Sequence, residues 1–533
     1  MLIALFERIG ESNPQLFREI KGRFITRNLW VTFLSSSIGQ FLLLLSCSKQ
    51  TCISYNDGEC AQVNWEFHWQ IIYRLLNWVL PILLITNGVY ALINDVAQEE
   101  RKGTLNFIRF SPQSSQTILL GKILGVPSLL YLGIALAIGL HLGSGLVAGL
   151  PLSSMLGIYA LWAVGCALFY NSALLYTLQH SDKMEAKTLA GGGCLLAFLV
   201  GLAYVGTIDF AVDWYNLKLI QCLTPASGNN SLDYCQTNGL NWQWFFLPIG
   251  NQPVFAYGLA FISLSIAAYW YWQAVNRRFR SRGITLISKL QSYKLVASFE
   301  LWLLGFSLPE LKTIVTNNDL GVGFGLLFFV TPLLLIIIAV NLTPSYQALL
   351  DWSRYKHLEF KGRKYSLWRD LIWGEKSPAI VAVALNLLIT ALIWLPWMLL
   401  WLQKERSENV QTPQLLLGWF MTMNVILIYV AIAELLRLTK TPTWLIFAST
   451  ALSTIVLTVG AIFALAENKL PIVQFLLLFS PFPIVSLGFG VTAITFLGLV
   501  TQLVTLSLLT WQLTRKVQTI GASSSQSYLS ASP

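Results

Sequence analysis

Long apolar segments recur along the whole chain and restrict the fold more than any other feature. An α-helix needs about 20 mainly apolar residues to cross the hydrocarbon core of a bilayer. With 55% hydrophobic and only 11% charged residues, the chain is also unlike soluble domains, which are about a quarter charged. The sequence therefore predicts an all-α, polytopic membrane helix bundle of about twelve transmembrane helices. The predicted spans are 29–47, 75–94, 120–143, 153–178, 188–206, 254–275, 295–309, 320–342, 379–402, 414–436, 443–465 and 490–511.

Two apolar regions depart from a simple span. The predicted seventh span, 295–309, is short and contains Glu300, which Lys294 could reach. The segment 471–490 contains three prolines, and a proline inside a helix removes a hydrogen bond and kinks the chain. We therefore predict a broken, re-entrant or outward-lying element over 471–490.

Lys and Arg are distributed unequally between alternate connecting segments. With the N-terminus inside, 28 of the 35 basic residues fall on the inner side, as the positive-inside rule requires. The sequence thus predicts a multi-pass protein of the plasma (inner) membrane with both termini cytoplasmic. The net charge of +10 is explained by these loops, and no nucleic-acid partner is expected.

The chain divides into two halves of similar layout. Each half ends in a Trp-Gln pair followed by basic residues, and a proline-containing outer segment precedes each last span. This pattern predicts an internal duplication with both halves in the same orientation. The predicted boundaries are a first six-span half over 29–280, a second over 281–515 and a disordered tail over 516–533.

Residues 1–28 precede the first span and carry a helix signal. Asn13 and Pro14 suit the cap and the first position of a helix. Apolar side chains then recur on one face, at Leu16, Phe17, Ile20 and Phe24, with basic residues elsewhere. The pattern predicts a cytoplasmic amphipathic helix on the membrane surface, and a solvated tail is the alternative.

A short charged loop joins the second and third spans. It contains four apolar side chains whose exposure to water would be unfavourable: Leu105, Phe107, Ile108 and Phe110. Gly103 permits a sharp entry, Pro112 would end a short helix, and Ser114 or Ser115 could cap the next helix. The apolar residues need cover, either from the membrane, from neighbouring helices or from the groove of a partner.

The spacing of this loop resembles that of the second-class ABC exporter permeases. In that family E-R-x-x-G-T-L, P-x-S and G-K follow one another between the second and third spans. The matching residues here are Glu99, Gly103, Thr104, Leu105, Pro112, Ser114, Gly121 and Lys122. The arginine comes later, in Glu99-Glu100-Arg101. The resemblance covers residues 1–280, whereas the second half is similar only in layout, with the segment 366–380 as the equivalent loop.

This resemblance implies that the loop is a coupling helix contacting a separate ABC ATPase subunit. It also implies a permease that exports a substrate, with a lipid or amphiphile fitting the apolar spans. The implied ATPase-coupling residues are Glu99, Glu100, Arg101, Gly103, Thr104, Leu105, Ile108, Phe110, Pro112, Trp368, Arg369 and Trp373. Besides the ATPase and the lipid bilayer, a second permease chain is an open alternative to a pathway formed by one chain.

No G-x-x-x-x-G-K-[ST] phosphate loop occurs in the sequence. Such a loop cradles nucleotide phosphates, so we expect no cofactor bound by this chain, no enzyme activity of its own, and ATP used only through the partner. The four histidines are far apart in sequence, and no metal site is predicted.

Two other functions are compatible with the sequence. An ion-coupled secondary transporter would use charges deep in the spans, where Glu300 and Glu434 are candidates. Arg437, one turn from Glu434, predicts a local ion pair instead. A non-transporting membrane assembly factor is the third interpretation.

Most of the seven cysteines fall at or beyond the predicted outer surface. An oxidising compartment there would permit local disulfides. Cys52 with Cys60 and Cys222 with Cys235 are the candidate pairs, and free thiols fit the sequence equally well.

Overall fold

The computed structural model describes residues 10–56, 59–181, 184–223, 243–250, 252–281, 284–311, 322–359, 367–404, 412–438, 471–487 and 493–522. The chain forms two compact units: unit 1 contains residues 1–241 and 248–280, and unit 2 contains residues 242–247 and 281–533. The division at Arg280 lies where the sequence places the boundary between the halves. The internal duplication itself stays a prediction.

Among its described residues, unit 1 is helical apart from one hairpin. Its elements are α1 (Pro14–Arg23), α2 (Thr26–Ser46), β1 (Ser48–Asn56), β2 (Glu59–Phe67), α3 (Trp69–Arg101), α4 (Thr104–Arg109), α5 (Ser115–Gly125), α6 (Ser128–Val147), α7 (Leu152–His180), α8 (Ala186–Leu223) and α9 (Pro253–Arg280).

In the described residues, unit 2 is helical. Its elements are α10 (Lys289–Ser307), a 3₁₀ turn (Leu308–Leu311), α11 (Val322–Gly325), a π-helical turn (Leu326–Val330), α12 (Thr331–Leu342), α13 (Tyr346–Glu359), α14 (Leu367–Trp373), α15 (Ile380–Lys404), α16 (Thr412–Leu438), α17 (Pro471–Leu477), α18 (Ile484–Leu487) and α19 (Ala493–Ala522).

Ten helical segments in the described part of the chain are long and apolar enough to cross a membrane. They correspond to ten of the predicted spans and confirm an all-α polytopic membrane protein. The predicted seventh span lies on α10, which is not among the ten. The predicted eleventh span, 443–465, lies outside the described residues, so the total of twelve stays a prediction. The predicted broken element contains two short helices, α17 and α18.

The third span begins later than predicted. Residues 115–125 form the separate helix α5, and the span is Ser128–Val147. Pro127 stands between the two helices and has no backbone N–H to continue the hydrogen-bond ladder. Lys122, at the start of the predicted span, therefore lies on α5 and not in a span.

The core of unit 1 forms around α3, against which α6, α7 and α8 pack. Where α3 packs on α7, the ring of Tyr170 lies against Gly88. The Tyr170 hydroxyl donates a 2.7 Å hydrogen bond to the Leu84 carbonyl oxygen. A side chain at Gly88 would overlap this ring, so the glycine sets the separation of the two helices. In contrast, α2 has no buried residue and exposes an apolar surface suited to lipid.

The β1–β2 hairpin was not predicted from the sequence. Its register pairs Cys52 with Val63 and Tyr55 with Cys60. A disulfide between directly opposite residues of the two strands would need Cys52 and Cys60 to pair, and in this register they do not. The predicted partner of Cys222, Cys235, lies outside the described residues.

The C-terminal tail predicted to be disordered over 516–533 is partly helical, because α19 continues to Ala522. Leu513 and Val517 on this helix are buried in a cluster with Leu349 and Leu438. This apolar contact lies beyond residue 511, the predicted end of the last span. Residues 523–533 lie outside the described part of the chain.

Candidate functional site

The charged loop between α3 and α5 contains a short helix, as predicted. Gly103 precedes α4 with a φ of 74°, a conformation that glycine adopts without strain. The Thr104 hydroxyl donates to the Glu99 carbonyl oxygen at 3.1 Å. After Pro112, the Ser114 hydroxyl accepts from the Thr117 N–H at 3.1 Å and caps α5. The predicted entry, stop and cap are all present.

The apolar residues of α4 point in two directions. Leu105 and Ile108 are 1% and 7% exposed and belong to the core of unit 1. Phe107 and Phe110 are 82% and 88% exposed. Residues three apart lie on the same helix face, so each pair forms one face. Leu105 and Ile108, which the resemblance implies as ATPase-coupling residues, pack within their own chain, and their role in coupling stays a prediction.

Charged residues next to α4 also bind within the chain. Glu100 forms a 3.2 Å ion pair with Arg109, whose guanidinium carbon lies 5.1 Å from the centre of the Phe279 ring on α9. Arg101 donates to the Met184 carbonyl oxygen at 2.7 Å. Arg109 thus joins α4 to α9 and to the end of α3, and Arg101 joins the end of α3 to the turn before α8.

Lys122 lies at the centre of a buried ionic cluster beside the loop. Its Nζ is 2.7 Å from Glu19 Oε1 on α1, 2.6 Å from Asp95 Oδ2 and 2.7 Å from Glu99 Oε1, both on α3. Ligand atoms of these three carboxylates lie within 4.8 Å of one another, a spacing that could surround a metal ion. In this arrangement the ammonium group of Lys122 is the cation that they surround.

Two arginines of α1 complete this lysine cluster. Arg18 is 2.6 Å from Glu99 Oε1, and Arg23 is 2.8 Å from Asp95 Oδ1 and also pairs with Glu19. Three carboxylates thus face three cations. Burial alone would raise the pKa of Glu19, but Lys122 and Arg23 lower the pKa to about 2. Burial opposes the charged form of Lys122, yet Asp95, Glu19 and Glu99 raise its pKa.

The helix α1 lies directly on α5, and this contact explains the Gly-Lys pair of the loop motif. A Cβ atom at Gly121 would lie only 2.8 Å from the backbone nitrogen of Leu16. The Asn13 side chain caps α1 as predicted and also donates to the Thr117 carbonyl oxygen at 2.9 Å. The face of α1 buried here is the polar one, with Gln15 and Glu19, whereas the sequence drew attention to the apolar face.

Unit 2 has its own short helix before a long span. On α14, Trp368, Arg369 and Trp373 are exposed. The Tyr293 hydroxyl on α10 donates to the Ile372 carbonyl oxygen at 2.8 Å, and its ring meets Trp373 edge-on at 6.0 Å. The two predicted tryptophans therefore lie on a helix that is fixed to α10 and remain accessible.

A buried lysine also fixes α14, but its partners are uncharged. Lys289 Nζ donates to the Leu371 carbonyl oxygen, to Ser377 Oγ and to the Pro378 carbonyl oxygen at 2.7, 2.7 and 2.9 Å. Burial lowers the pKa of Lys289 to about 8, although Glu434 and Asp370 act in the opposite direction.

Glu434, on α16, also binds the turn between α14 and α15. Its carboxylate accepts a hydrogen bond from the backbone N–H of Ala379, at the start of α15. The predicted ion pair of Glu434 with Arg437 is not found among the described residues, which corrects that expectation. The N-terminal N–H groups of a helix attract a carboxylate, and Glu434 binds this end of α15.

The fold and these sites define a multi-pass, all-α membrane protein with a braced short helix in each unit. Comparisons with protein-family models, with curated proteins and with solved structures gave no match for the chain. Sequence reasoning identified the loop and Lys122, but it missed Glu19 and Asp95 as partners of Lys122 and Lys289 as the residue that holds α14. A lysine next to glycine at the edge of an apolar segment was the available signal.

Proposed function

We propose that this chain is the membrane permease subunit of an ATP-binding cassette exporter, powered by a separate ATPase subunit. The observation that carries the proposal is the exposed pair Phe107 and Phe110 on a short helix held firmly at the end of a span. Aromatic side chains that enter a partner's groove are typical anchors of protein interfaces.

The support around α4 suits it to transmit movement. A partner can bias membrane helices only through contacts that are continuous with them. Here α4 follows α3 after two residues, and Leu105 and Ile108 join it to the core of unit 1. Through Glu99 and Lys122, the end of α3 is also fixed to α1 and α5. A displacement of α4 would therefore move the ends of several helices together.

The second short helix extends the proposal to two contact surfaces on one chain. Trp368 and Trp373 on α14 offer aromatic anchors of the same kind. In this proposal both short helices and both termini are cytoplasmic, in the plasma (inner) membrane, and one chain can engage two ATPase subunits. The substrate class is a lipid or another amphiphile, in keeping with the apolar spans.

Co-purification tests the proposal. The tagged full-length protein should bring down an ATPase, and Phe107→Asp with Phe110→Asp should release it while leaving the amount of folded protein unchanged. The matched control is Gln116→Asp, which adds a carboxylate at an exposed position of α5 away from the aromatic pair. An ATPase retained by the double variant, or no ATPase bound to the wild-type chain, would contradict the proposal.

The same design separates the two units. Trp368→Asp with Trp373→Asp should lower the ratio of ATPase to permease by about half if each short helix binds one subunit. A ratio unchanged by this variant but abolished by the phenylalanine variant would restrict the contact to unit 1. Transport by the chain alone in liposomes, driven by a proton gradient, would instead favour an ion-coupled carrier.

A further inference from the structure

Glu300 is a fully buried carboxyl group of unit 2. It lies on α10, beside the aromatic core that includes Trp394 and Phe328. Its Oε2 atom accepts hydrogen bonds from Thr331 Oγ1 at 2.9 Å and from Trp394 Nε1 at 2.7 Å. Both donors are neutral, and neither can balance a negative charge.

No cation is placed to neutralise this group among the described residues. The segments 322–342 and 380–403, which form the helices packed on α10, contain no Asp, Glu, Lys, Arg or His. Lys294, which the sequence offered as a partner, is exposed. The titratable groups on α10 and on the other elements packed against it are Lys289, Tyr293, Lys294, Glu310, Arg369, Asp370 and Lys404.

The nearest of these candidates are engaged or distant. Lys289 is eleven residues from Glu300 on the same helix, about 16 Å along the axis, and is used by the turn before α15. Tyr293 donates to Ile372, which lies on the helix that carries Arg369 and Asp370. Lys404 ends α15, ten residues beyond Trp394, about 15 Å along that helix.

The second oxygen of Glu300 carries the inference. Within the described residues, Oε1 is buried and has no hydrogen-bond partner. An ionised carboxylate there would be a buried charge without a counter-ion, and removing such a charge from water is unfavourable. We propose that Glu300 is a proton-binding site of unit 2, in which Oε1 carries a proton taken from solvent and Oε2 accepts from Thr331 and Trp394.

The local backbone gives this site a functional character. Thr331 directly follows the π-helical turn Leu326–Val330 and precedes Pro332. Single π turns in helices occur frequently at functional sites, and proline leaves one helical carbonyl without its usual donor. Loss of the proton would leave an unpaired charge between α10, α12 and α15, so proton occupancy would control how closely these helices pack.

Infrared spectroscopy of the purified full-length chain in lipid nanodiscs tests the site directly. At neutral pH the wild type should show the carbonyl-stretch band of a protonated carboxyl group, shifted to lower frequency in D₂O, and Glu300→Gln should lose it. Trp394→Phe should move the band to higher frequency, because one donor to Oε2 is removed. The control Asp351→Asn changes an exposed carboxylate paired with Lys376 and should leave the band unchanged.

Two results would overturn the proposal. A spectrum whose protonated-carboxyl region is the same in the wild type and Glu300→Gln would mean that Glu300 is ionised. A Glu300 band that appears only in sodium-free buffer would mean that the site holds a metal cation. If Glu300→Gln does not fold, the shift of the band in Trp394→Phe decides the matter. Because the measurement needs no ATPase, its outcome is independent of the proposed export function.

Discussion

Lys122 in unit 1 and Lys289 in unit 2 are both buried lysines that brace a short helix with exposed aromatic residues. Their partners differ. Lys122 faces three carboxylates, whereas Lys289 donates to two backbone carbonyl groups and one hydroxyl. The two units therefore hold similar short helices in place by different electrostatic means. In unit 1 the lysine charge is balanced by carboxylates, whereas in unit 2 the lysine charge is surrounded by the dipoles of neutral groups.

This difference determines which state of each lysine the fold favours. The carboxylates around Lys122 raise its pKa despite burial, so the folded chain holds that proton more tightly than the unfolded chain does. Burial lowers the pKa of Lys289 to about 8, so folding opposes its charge. Protonation of Lys122 therefore stabilises the fold, whereas protonation of Lys289 has a cost that its hydrogen bonds partly offset.

The largest expected contrast comes from removing each charge. Lys122→Met should lower the free energy of unfolding by about 3–5 kcal/mol, because three carboxylates lose their central cation. Lys289→Met should change it by less than about 2 kcal/mol, since relief of desolvation offsets the lost hydrogen bonds. Denaturant unfolding in detergent measures both.

The control for these variants is Lys294→Met, at an exposed position, with an expected change within about 0.5 kcal/mol. Equal losses for Lys122→Met and Lys289→Met would remove the distinction between the two sites. A greater loss for Lys289→Met would reverse it.

The pH dependence of stability should differ in sign between the lysines. The pKa of Lys289 is about 8 in the folded chain, against an ordinary value of 10.5. Between these two pH values the unfolded chain binds more protons at this lysine, so the free energy of unfolding rises with pH by about 3 kcal/mol. The contribution of Lys122 is complete below its ordinary pKa and is lost only as the pH passes its raised value. The unfolding midpoint measured across this range should therefore rise more in the wild type than in Lys289→Met. The same pH profile in both proteins would contradict the assignment.

Local signals in the sequence identified most spans and two helix caps, but they did not identify the partners of the charged residues. Apolar length identified ten spans, and Asn13 and Ser114 cap their helices as predicted. In contrast, Lys122 and Glu19 are 103 residues apart, and no local pattern links them. Leu105 could not be separated from Phe107 either, because a six-residue helix is too short to show which face is buried.

A smaller effect is expected where α1 meets α5. Gly121→Ala should lower the free energy of unfolding by about 1–3 kcal/mol, because its Cβ would press on the backbone of Leu16. The matched control is Gly22→Ala on α1, where a Cβ has no neighbour within 4 Å; there alanine should stabilise by about 0.5–1 kcal/mol. Thermal unfolding compares the two. A neutral Gly121→Ala would show that α1 can move away from α5 at little cost, and the lysine cluster would then not depend on this contact.

The smallest effect should come from the exposed aromatic residues of both short helices. Phe107→Ser in unit 1 and Trp368→Ser in unit 2 should each change the free energy of unfolding by less than about 0.5 kcal/mol, since these side chains are exposed. Leu105→Ala, on the opposite face of α4, should cost about 2–5 kcal/mol, because this leucine is buried. Stability measured on the purified chain separates surface from core. If Phe107→Ser lowered the free energy of unfolding as much as Leu105→Ala, Phe107 would be a structural residue. The exposed aromatic surface proposed for partner binding would then be present in unit 2 but not in unit 1.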